Sequence, residues 1–362
     1  MYGGPAVVSA RTYTARTLAR PLITLAVLAA LTGCGSSPPS ELPVPEPAAS
    51  PAPREEPAGR VVDVGNAPEG VAVDPETGIV ALGFRNPNRL ALVDGRTGET
   101  ELEVPLPSSP RHLGLAGPGG PVLVPTEAGG SLVQVSLPEG KVLSTTRVGR
   151  TPHDADAAGG RIFVGNEFSD SVSVIEDGRE IKRLPAARQP GGVAGTEIGS
   201  VGVVSVTGRV FEAFDARTLR SLGRVSGGVG PTHVVAEPEG CFYVADTQGD
   251  AVLLLRRRGP RIEQVRRINV RGTPYGIAID PAGDRLWVTQ TRFNTVAEFA
   301  LNGGRPRLVR TLPTVRQPNT IGVNPRSGRA YIAGRAGELQ IVEPAEDRRV
   351  PPEPDDGGTR CR

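Results

Sequence analysis

Short apolar runs alternate with turn residues along most of this chain. Residues 273–300 show the unit clearly: an apolar run at 277–279, a turn at 280–284, a second apolar run at 286–288, and a third run that contains Val296. Each run is rich in β-branched or aromatic residues and is bounded by Asp, Pro, Gly or Asn, which is typical of strands. None of the runs is long enough to favour a helix. The pattern therefore predicts an all-β protein.

The unit recurs seven times. A proline opens every copy, and successive prolines are 38 to 44 residues apart. The seven prolines are Pro68, Pro110, Pro152, Pro190, Pro231, Pro274 and Pro318. A period near forty residues with about four strands per unit predicts a seven-bladed β-propeller, in which each blade buries its faces against its neighbours.

The two ends of the array complete each other. Residues 60–65 have the character of a fourth strand but have no blade of their own. The last unit has strands near 320–324, 330–333 and 339–342 and lacks a fourth. We expect residues 60–65 to complete blade seven and close the ring, because closure removes an exposed sheet edge. The predicted propeller domain spans residues 60–344.

Strand two and the loop after it carry a family resemblance. The segments are Phe163-Val164-Gly165-Asn166, Tyr243-Val244-Ala245-Asp246 and Trp287-Val288-Thr289-Gln290. They resemble the YVTN β-propeller repeat family over about residues 60 to 344, although no copy contains that tetrapeptide itself. Propellers of the NHL and streptogramin-lyase types are relatives in this comparison. The resemblance implies the fold, and the fold does not determine an activity.

The first 33 residues have the features of a lipoprotein signal peptide. Arg11, Arg16 and Arg20 precede a twelve-residue apolar stretch that is too short to span a bilayer. The stretch ends in Leu31-Thr32-Gly33-Cys34, which resembles a bacterial lipobox. We therefore expect cleavage before Cys34, a lipid on Cys34, and an outward-facing, extracytoplasmic protein on a bacterial cell membrane. The alternative is an ordinary secretory signal that happens to contain a cysteine.

The segments on either side of the propeller are rich in proline. Residues 34–59 cannot build a core, and their composition predicts an extended polyproline II linker or a disordered tether. Because residues 60–65 must run upward to Pro68, we expect the linker to enter from the bottom of the disc, which leaves the top facing away from the membrane. Residues 345–362 are predicted to be a disordered or disulfide-pinned tail.

The charge of the mature chain gives no reason to expect a nucleic-acid partner. Removal of residues 1–33 lowers the formal net charge from +2 to −1. A nearly neutral protein has no global field that would recruit a polyanion. The predicted partners are the membrane, through Cys34, and a protein or glycan at the top face; we expect a monomer.

The three histidines fall in equivalent positions. His112, His153 and His233 follow the repeat proline by two, one and two residues, which predicts a place in the loop between strand four and the next strand one. This loop and the loop between strands two and three lie on the same face of the disc, the top face, where ligand sites of propellers usually lie. The three imidazoles are therefore expected to face one mouth of the central channel.

Other polar residues belong to the same loops. One or two residues after a repeat proline lie Glu69, Arg111, Asp154, Tyr275 and Asn319. In the loops after strand two lie Asn166, Glu167, Asp246 and Arg292. Imidazole and carboxylate groups at a concave mouth suit anion recognition, acid–base catalysis or a divalent metal, with His112, His153 and His233 as the candidate metal ligands. The alternative is that these residues simply cap their loops.

Three functions remain open at this point. The first is a binding or scaffold module that acts through its top face and has no catalytic residues. The second is a metal-dependent lyase or lactonase, as in related propellers, that uses the top-face histidines. The third is a metal or redox accessory protein. No spacing in the chain matches HExxH, a GxSxG elbow or a Walker loop.

Two cysteines remain once Cys34 carries a lipid. Cys241 starts strand two of blade five at the bottom face, and the chain after blade seven also leaves at the bottom. In an oxidising compartment, unpaired thiols are uncommon. We therefore predict a disulfide between Cys241 and Cys361; the alternative is a buried, reduced Cys241.

Overall fold

Seven four-stranded antiparallel sheets form the protein, and each sheet is one blade of a β-propeller. A computed structural model describes residues 43–302 and 304–346. Within residues 43–302 and 304–345, the helical element is a one-turn 3-10 helix, Glu167–Ser169. No helix among the described residues is long and apolar enough to cross a membrane. The seven-bladed all-β prediction is confirmed.

The strands are numbered in chain order. Blade one contains β2 to β5, at Pro68–Val73, Ile79–Phe84, Arg89–Asp94 and Thr100–Pro105. Blade two contains β6 to β9, at Gly114–Leu115, Val122–Thr126, Ser131–Val135 and Val142–Arg147. Blade three contains β10 to β13, at Pro152–Ala158, Arg161–Asn166, Ser171–Glu176 and Arg179–Pro185.

The next three blades repeat the arrangement. Blade four contains β14 to β17, at Pro190–Gly195, Ser200–Ser205, Val210–Asp215 and Ser221–Ser226. Blade five contains β18 to β21, at Pro231–Ala236, Cys241–Asp246, Ala251–Arg258 and Arg261–Asn269. Blade six contains β22 to β25, at Pro274–Asp280, Arg285–Gln290, Thr295–Ala300 and Arg307–Pro313.

Blade seven is built from both ends of the propeller. It contains β26 to β28, at Pro318–Val323, Ala330–Gly334 and Glu338–Val342, and its outer strand is β1, at Arg60–Asp63. β1 pairs antiparallel with β28. The predicted closure of the ring is therefore confirmed. β1 stops at Asp63 because the chain turns at Gly65, where φ is +88° and the amide donates to Asp63 Oδ1 at 2.8 Å.

The core lies between the blades. Phe211 of blade four packs against Phe242 of blade five, with 5.1 Å between ring centroids, and both are fully buried. Trp287 of blade six packs in the same way among Ile332 and Val342 of blade seven. Each blade therefore buries its faces against its neighbours, as the repeat predicts, and valine, leucine and isoleucine fill most of the space.

The linker takes a different path from the predicted one. Its residues 43–51, which we call the strap, lie on the top face of blades four to six. Pro43 O accepts hydrogen bonds from Arg209 Nη2 and Gln248 Nε2, and Pro51 O accepts one from Asn294 Nδ2. The expectation that the linker enters from the bottom is wrong. The chain crosses the top first, passes Pro313 at Ala58, and only then turns up into β1.

Cys241 is disulfide-bonded. Cys361, its predicted partner, and Cys34, the predicted lipidation site, lie outside the described residues. The pairing of Cys241 with Cys361 therefore stays a prediction, as do the signal peptide of residues 1–33 and the character of the tail after residue 346.

Candidate functional site

Three imidazole rings meet at the top of the central channel. His112 contacts both other rings, with 4.6 Å to the centroid of His153 and 4.4 Å to that of His233. The predicted convergence is therefore observed. The rings do not lie in loops as expected: His153 and His233 lie within β10 and β18, because the repeat proline is itself the first residue of the inner strand. His112 lies between the Pro110 bridge and β6.

The hydrogen bonds between the rings determine their tautomers. His233 Nδ1 lies 2.9 Å from the carbonyl oxygen of Tyr275, which can only accept, so this nitrogen carries the proton. His233 Nε2 is then an acceptor in the neutral ring. His112 Nε2, 3.2 Å away, must donate to it. A proton-ordered chain therefore runs from His112 through His233 to the backbone of blade six.

Burial keeps this histidine pair neutral. It is the largest cause that holds the pKa of His112 well below its usual value, and the other two histidines add to the effect. Burial likewise lowers the pKa of His233 to about 3. At neutral pH both rings are therefore uncharged, and the lone pair of His233 Nε2 accepts the hydrogen bond from His112.

The third histidine is held by a carboxylate. His153 Nδ1 lies 2.5 Å from Glu167 Oε1, and both side chains are buried. Burial acts to raise the pKa of Glu167, but the hydrogen bond and charge of His153 outweigh it and leave the pKa below its ordinary value. Glu167 also accepts a longer bond from Gln189 Nε2 at 3.4 Å. His153 Nδ1 donates to an ionised carboxylate, so the ring is fixed in orientation.

Beside the histidines, two arginines and two glutamates form a closed ring of ion pairs. Arg111 pairs with Glu127 at 2.9 Å and with Glu69 at 3.4 Å. Arg85 pairs with the same two carboxylates, at 2.8 Å and 3.7 Å. All four side chains are half-buried, and each charge has two opposite neighbours. Such a network is rigid and holds Arg111 next to His112.

Below the histidines, the channel contains two carboxyl groups. Asp154 Oδ2 accepts the amide of Val193 at 3.0 Å, and Asp156 Oδ2 accepts that of Gly195 at 2.7 Å. These carboxyl groups therefore accept hydrogen bonds from the backbone amides at the inner edge of blade four. Burial raises the pKa of Asp154 to about 8 and that of Asp156 to about 6. Both line a cavity of about 340 Å³ that includes His112 and reaches around the inner strands.

Above the histidines lies a smaller cavity of about 180 Å³, the mouth. Glu46 and Pro47 of the strap form one wall, and the propeller supplies the others, including Glu69, Arg111, His112, Tyr275, Asn319 and Arg335. Asn319 Oδ1 is buried and has no hydrogen-bond partner in the part of the chain that the structure describes. Burial is the largest cause that raises the pKa of Tyr275, and the negative charge of Glu46 adds to it. Acceptors, cations and a phenol thus face one small space.

Two predicted site residues have structural roles. Asn166 is fully buried and its Nδ2 donates to Ser173 Oγ at 2.9 Å. Asp246 is also buried, and its Oδ1 accepts the amide of Gly230 at 2.7 Å. Neither residue lines the mouth or the channel. Arg292 is exposed in the loop between β23 and β24 of blade six, beside the strap.

Of the residues that directly follow strand two, sequence reasoning named Glu167 and missed the others. This position holds Arg85, Glu127, Glu167, Val206, Thr247, Thr291 and Arg335 in the seven blades. Four of them take part in the ion-pair ring, the His153 pair or the mouth. These residues lie one position after Asn166 and Asp246 in the repeat. Glu167, the one residue at this position that was named, bonds to His153 at the top of the channel.

The histidines fit a metal in part. Two nitrogens on one tetrahedral zinc ion at 2.0 to 2.1 Å are ~3.4 Å apart, close to the 3.2 Å between His112 Nε2 and His233 Nε2. The Nδ1 atoms of His153 and His233 already have the acceptors that metal-binding histidines use. Among the described residues, however, no group of three or more His, Cys, Asp or Glu side chains is arranged to hold an ion.

Known structures share this fold. A chain of hydrazine synthase from Kuenenia stuttgartiensis matches with a TM-score of 0.68 and 16% identity, over 78% of this chain and 97% of that one. A chain of the mitotic checkpoint complex matches with a TM-score of 0.69 and 12% identity, over 84% and 97%. The β-propeller domain of Cps50 (Swd1) from Myceliophteria thermophila matches with a TM-score of 0.66 and 13% identity, over 78% and 97%.

These matches place the chain among seven-bladed β-propellers. Their identities are too low to transfer an activity, because this fold carries many unrelated functions. No family model matches the chain. No curated protein sequence matches it either.

Proposed function

We propose that this chain is a lipid-anchored, extracytoplasmic binding module of the YVTN type, and that it binds a protein or glycan through its top face. The lipobox at residues 31–34 supports the anchor. One of the structural neighbours is a chain of the mitotic checkpoint complex, a protein assembly, which agrees with a scaffold role.

The observation that carries the binding role is a pair of exposed aromatic side chains on the top face. Phe168 is 59% exposed in blade three, and Phe293 is 53% exposed in blade six. They are three blades apart in the ring of seven, with the polar mouth between them. Exposed aromatic anchors around a preorganised polar centre are the usual composition of a binding surface.

The test is capture of an extracytoplasmic partner by the full-length protein. We expect the double variant Phe168→Ala, Phe293→Ala to lose at least 90% of a partner that the wild type captures. Leu143→Ala, Leu308→Ala is the matched control, because these leucines are 59% and 50% exposed on outer edge strands. Equal loss in both variants, or in neither, would contradict a top-face partner.

The anchor has its own test. Intact mass of the membrane-fraction protein should show residues 1–33 removed and acyl chains on Cys34. Cys34→Ala should release the protein from the membrane fraction. An unmodified Cys34 in the mature chain would exclude the lipoprotein assignment and leave the binding role standing.

A second candidate function is favoured by the Nε2 separation described above, namely divalent metal binding for lyase, lactonase or accessory chemistry. His112 would first have to move its proton to Nδ1 so that both Nε2 atoms present lone pairs. Protein purified without chelators would contain about one metal ion per chain, and His112→Ala or His233→Ala would remove it. Tyr275→Phe should retain the metal. Absence of uptake from excess zinc would exclude this candidate.

A further inference from the structure

The strap is bound to the top face in a manner that a separate peptide could reproduce. Its sequence is Pro-Val-Pro-Glu-Pro-Ala-Ala-Ser-Pro at residues 43–51, and none of it has helical or strand structure. Pro45 and Ser50 are buried, whereas the residues between them are exposed or half-buried. An extended proline-rich segment with intermittent buried positions is the form in which polyproline II ligands bind.

Most of the contacts that hold the strap involve its backbone. Arg316 donates from Nε and Nη2 to Ser50 O at 3.4 and 3.3 Å, in addition to the bonds that Arg209, Gln248 and Asn294 make to Pro43 and Pro51. The amide of Ala48 donates to Thr291 Oγ1 at 3.2 Å, and Ser50 Oγ donates to Thr291 O. Side chains of the propeller that reach backbone carbonyls recognise an extended conformation with little dependence on sequence.

The charges at the mouth add a preference for acidic ligands. Glu46 lies at the cavity that Arg111 and Arg335 also line. Both partners of Arg111 are glutamates, and the exposed Arg335 takes part in none of the ion pairs among the described residues. The uncompensated cation at the rim therefore favours a carboxylate at the position of Glu46.

We propose that the top face is a binding groove for extended, acidic, proline-containing peptides, and that residues 43–51 occupy it in cis. This inference rests on the proposed top-face function and names the class of ligand. An external segment of the same chemistry binds by displacing the strap. The strap competes at the high effective concentration of a tethered ligand, so it sets the threshold for binding.

The experiment measures binding of a fluorescein-labelled peptide, PVPEPAASPAP, to the full chain by anisotropy. The strap is weakened from its own side with Pro45→Gly, Ser50→Ala, which leaves every groove residue intact. We expect the labelled peptide to bind this variant at least tenfold more tightly than the wild type. Ser50→Ala alone should give a smaller gain in the same direction, and circular dichroism should show an intact propeller in both.

Groove variants identify the site. In the strap-weakened background, Arg209→Ala, Arg316→Ala should reduce peptide affinity at least fivefold. Arg217→Ala, Arg220→Ala is the matched control, because it removes two exposed arginines from the β16–β17 turn at the bottom of blade four. A peptide with lysine in place of glutamate, and one with alanines in place of prolines, should both bind more weakly.

Three results would overturn the proposal: equal peptide affinity for the wild type and the strap-weakened variant, equal binding of the proline-free peptide, or equal loss in the groove and control variants. If partner capture depends on Phe168 and Phe293 but the peptide does not bind, the ligand class is wrong and the top-face function stands. If both measurements fail, both proposals fall.

Discussion

His112 belongs to blade two and His233 to blade five, yet their Nε2 atoms are 3.2 Å apart across the top of the channel. Two residues 121 positions apart in the chain thus place one donor and one acceptor in contact. His112 lines both the mouth above and the carboxyl-lined cavity below. The contact also makes the stability of the propeller depend on the protonation of the two rings.

The first prediction concerns acid. The folded pKa of His233 is about 3, below the ordinary value of 6.5, so the stabilisation it provides is complete above pH 6.5 and is lost as the pH falls towards 3. His233→Gln removes this dependence. The cost of the substitution should shrink by up to about 2 kcal/mol between pH 7 and pH 5, because one pKa unit corresponds to ~1.4 kcal/mol. Urea denaturation at the two pH values measures it; a constant cost would contradict a buried neutral ring.

Asp154 predicts the opposite dependence. Its folded pKa of about 8 lies above the ordinary 3.8, so its contribution is complete below pH 3.8 and is lost as the pH rises through 8. Asp154→Asn keeps an acceptor for the Val193 amide and removes the charge. Relative to the wild type, the variant should gain about 3 to 4 kcal/mol between pH 5 and pH 8, because nearly three pH units at ~1.4 kcal/mol per unit separate the two conditions. Denaturation midpoints that move in parallel would show that the carboxyl group is ionised throughout.

A third prediction concerns a buried charge away from the mouth. Glu298 is 1% exposed, and its carboxylate pairs with Arg310 at 2.6 Å and Arg285 at 3.4 Å. Glu298→Ala removes a buried carboxylate that two guanidinium groups share, those of the buried Arg285 and the half-buried Arg310, and should cost about 3 to 5 kcal/mol. Glu343→Ala is the control, because Glu343 pairs with Arg329 at 2.7 Å but is 65% exposed. That pair should cost less than about 1 kcal/mol.

The fourth prediction concerns the cysteines. If Cys241 pairs with Cys361, the unfolded, unreduced protein with a lipid on Cys34 should contain no free thiol. Cys241→Ala and Cys361→Ala should each lower the free energy of unfolding by about 2 to 4 kcal/mol, the usual effect of losing a disulfide. Retention of full stability by Cys361→Ala would mean that Cys241 has another partner.

The repeat could be predicted from the sequence because the prolines and turn residues that separate its strands are local signals. A proline such as Pro152 or Pro231 marks the start of each inner strand. Because the seven units close into a ring, residues at the same position in each repeat come to lie around the central channel. That is why three histidines in nearly one column meet in space. The contact between blades two and five was less accessible, because it depends on how far side chains reach across the channel.

The position of the strap and the ion-pair ring were not predicted from the sequence, and the reasons differ. A proline-rich segment has no apolar periodicity, so its composition cannot show which face it follows. Its position depends on long-range bonds such as that from Arg316 to Ser50 O. Arg85 and Glu127 follow their strands by a single residue, and the pleat of the strand decides whether that residue or its predecessor faces the channel.

The junction of the strap with β1 also determines how the protein responds to mechanical force. A pull on the N-terminal segment acts first on the hydrogen bonds at Pro43, Ser50 and Pro51, and reaches the pairing of β1 with β28 only after these have broken. The top-face contacts thus break first and protect the strand that closes the ring. Moderate tension would peel away the strap and expose the mouth while the seven blades remain joined.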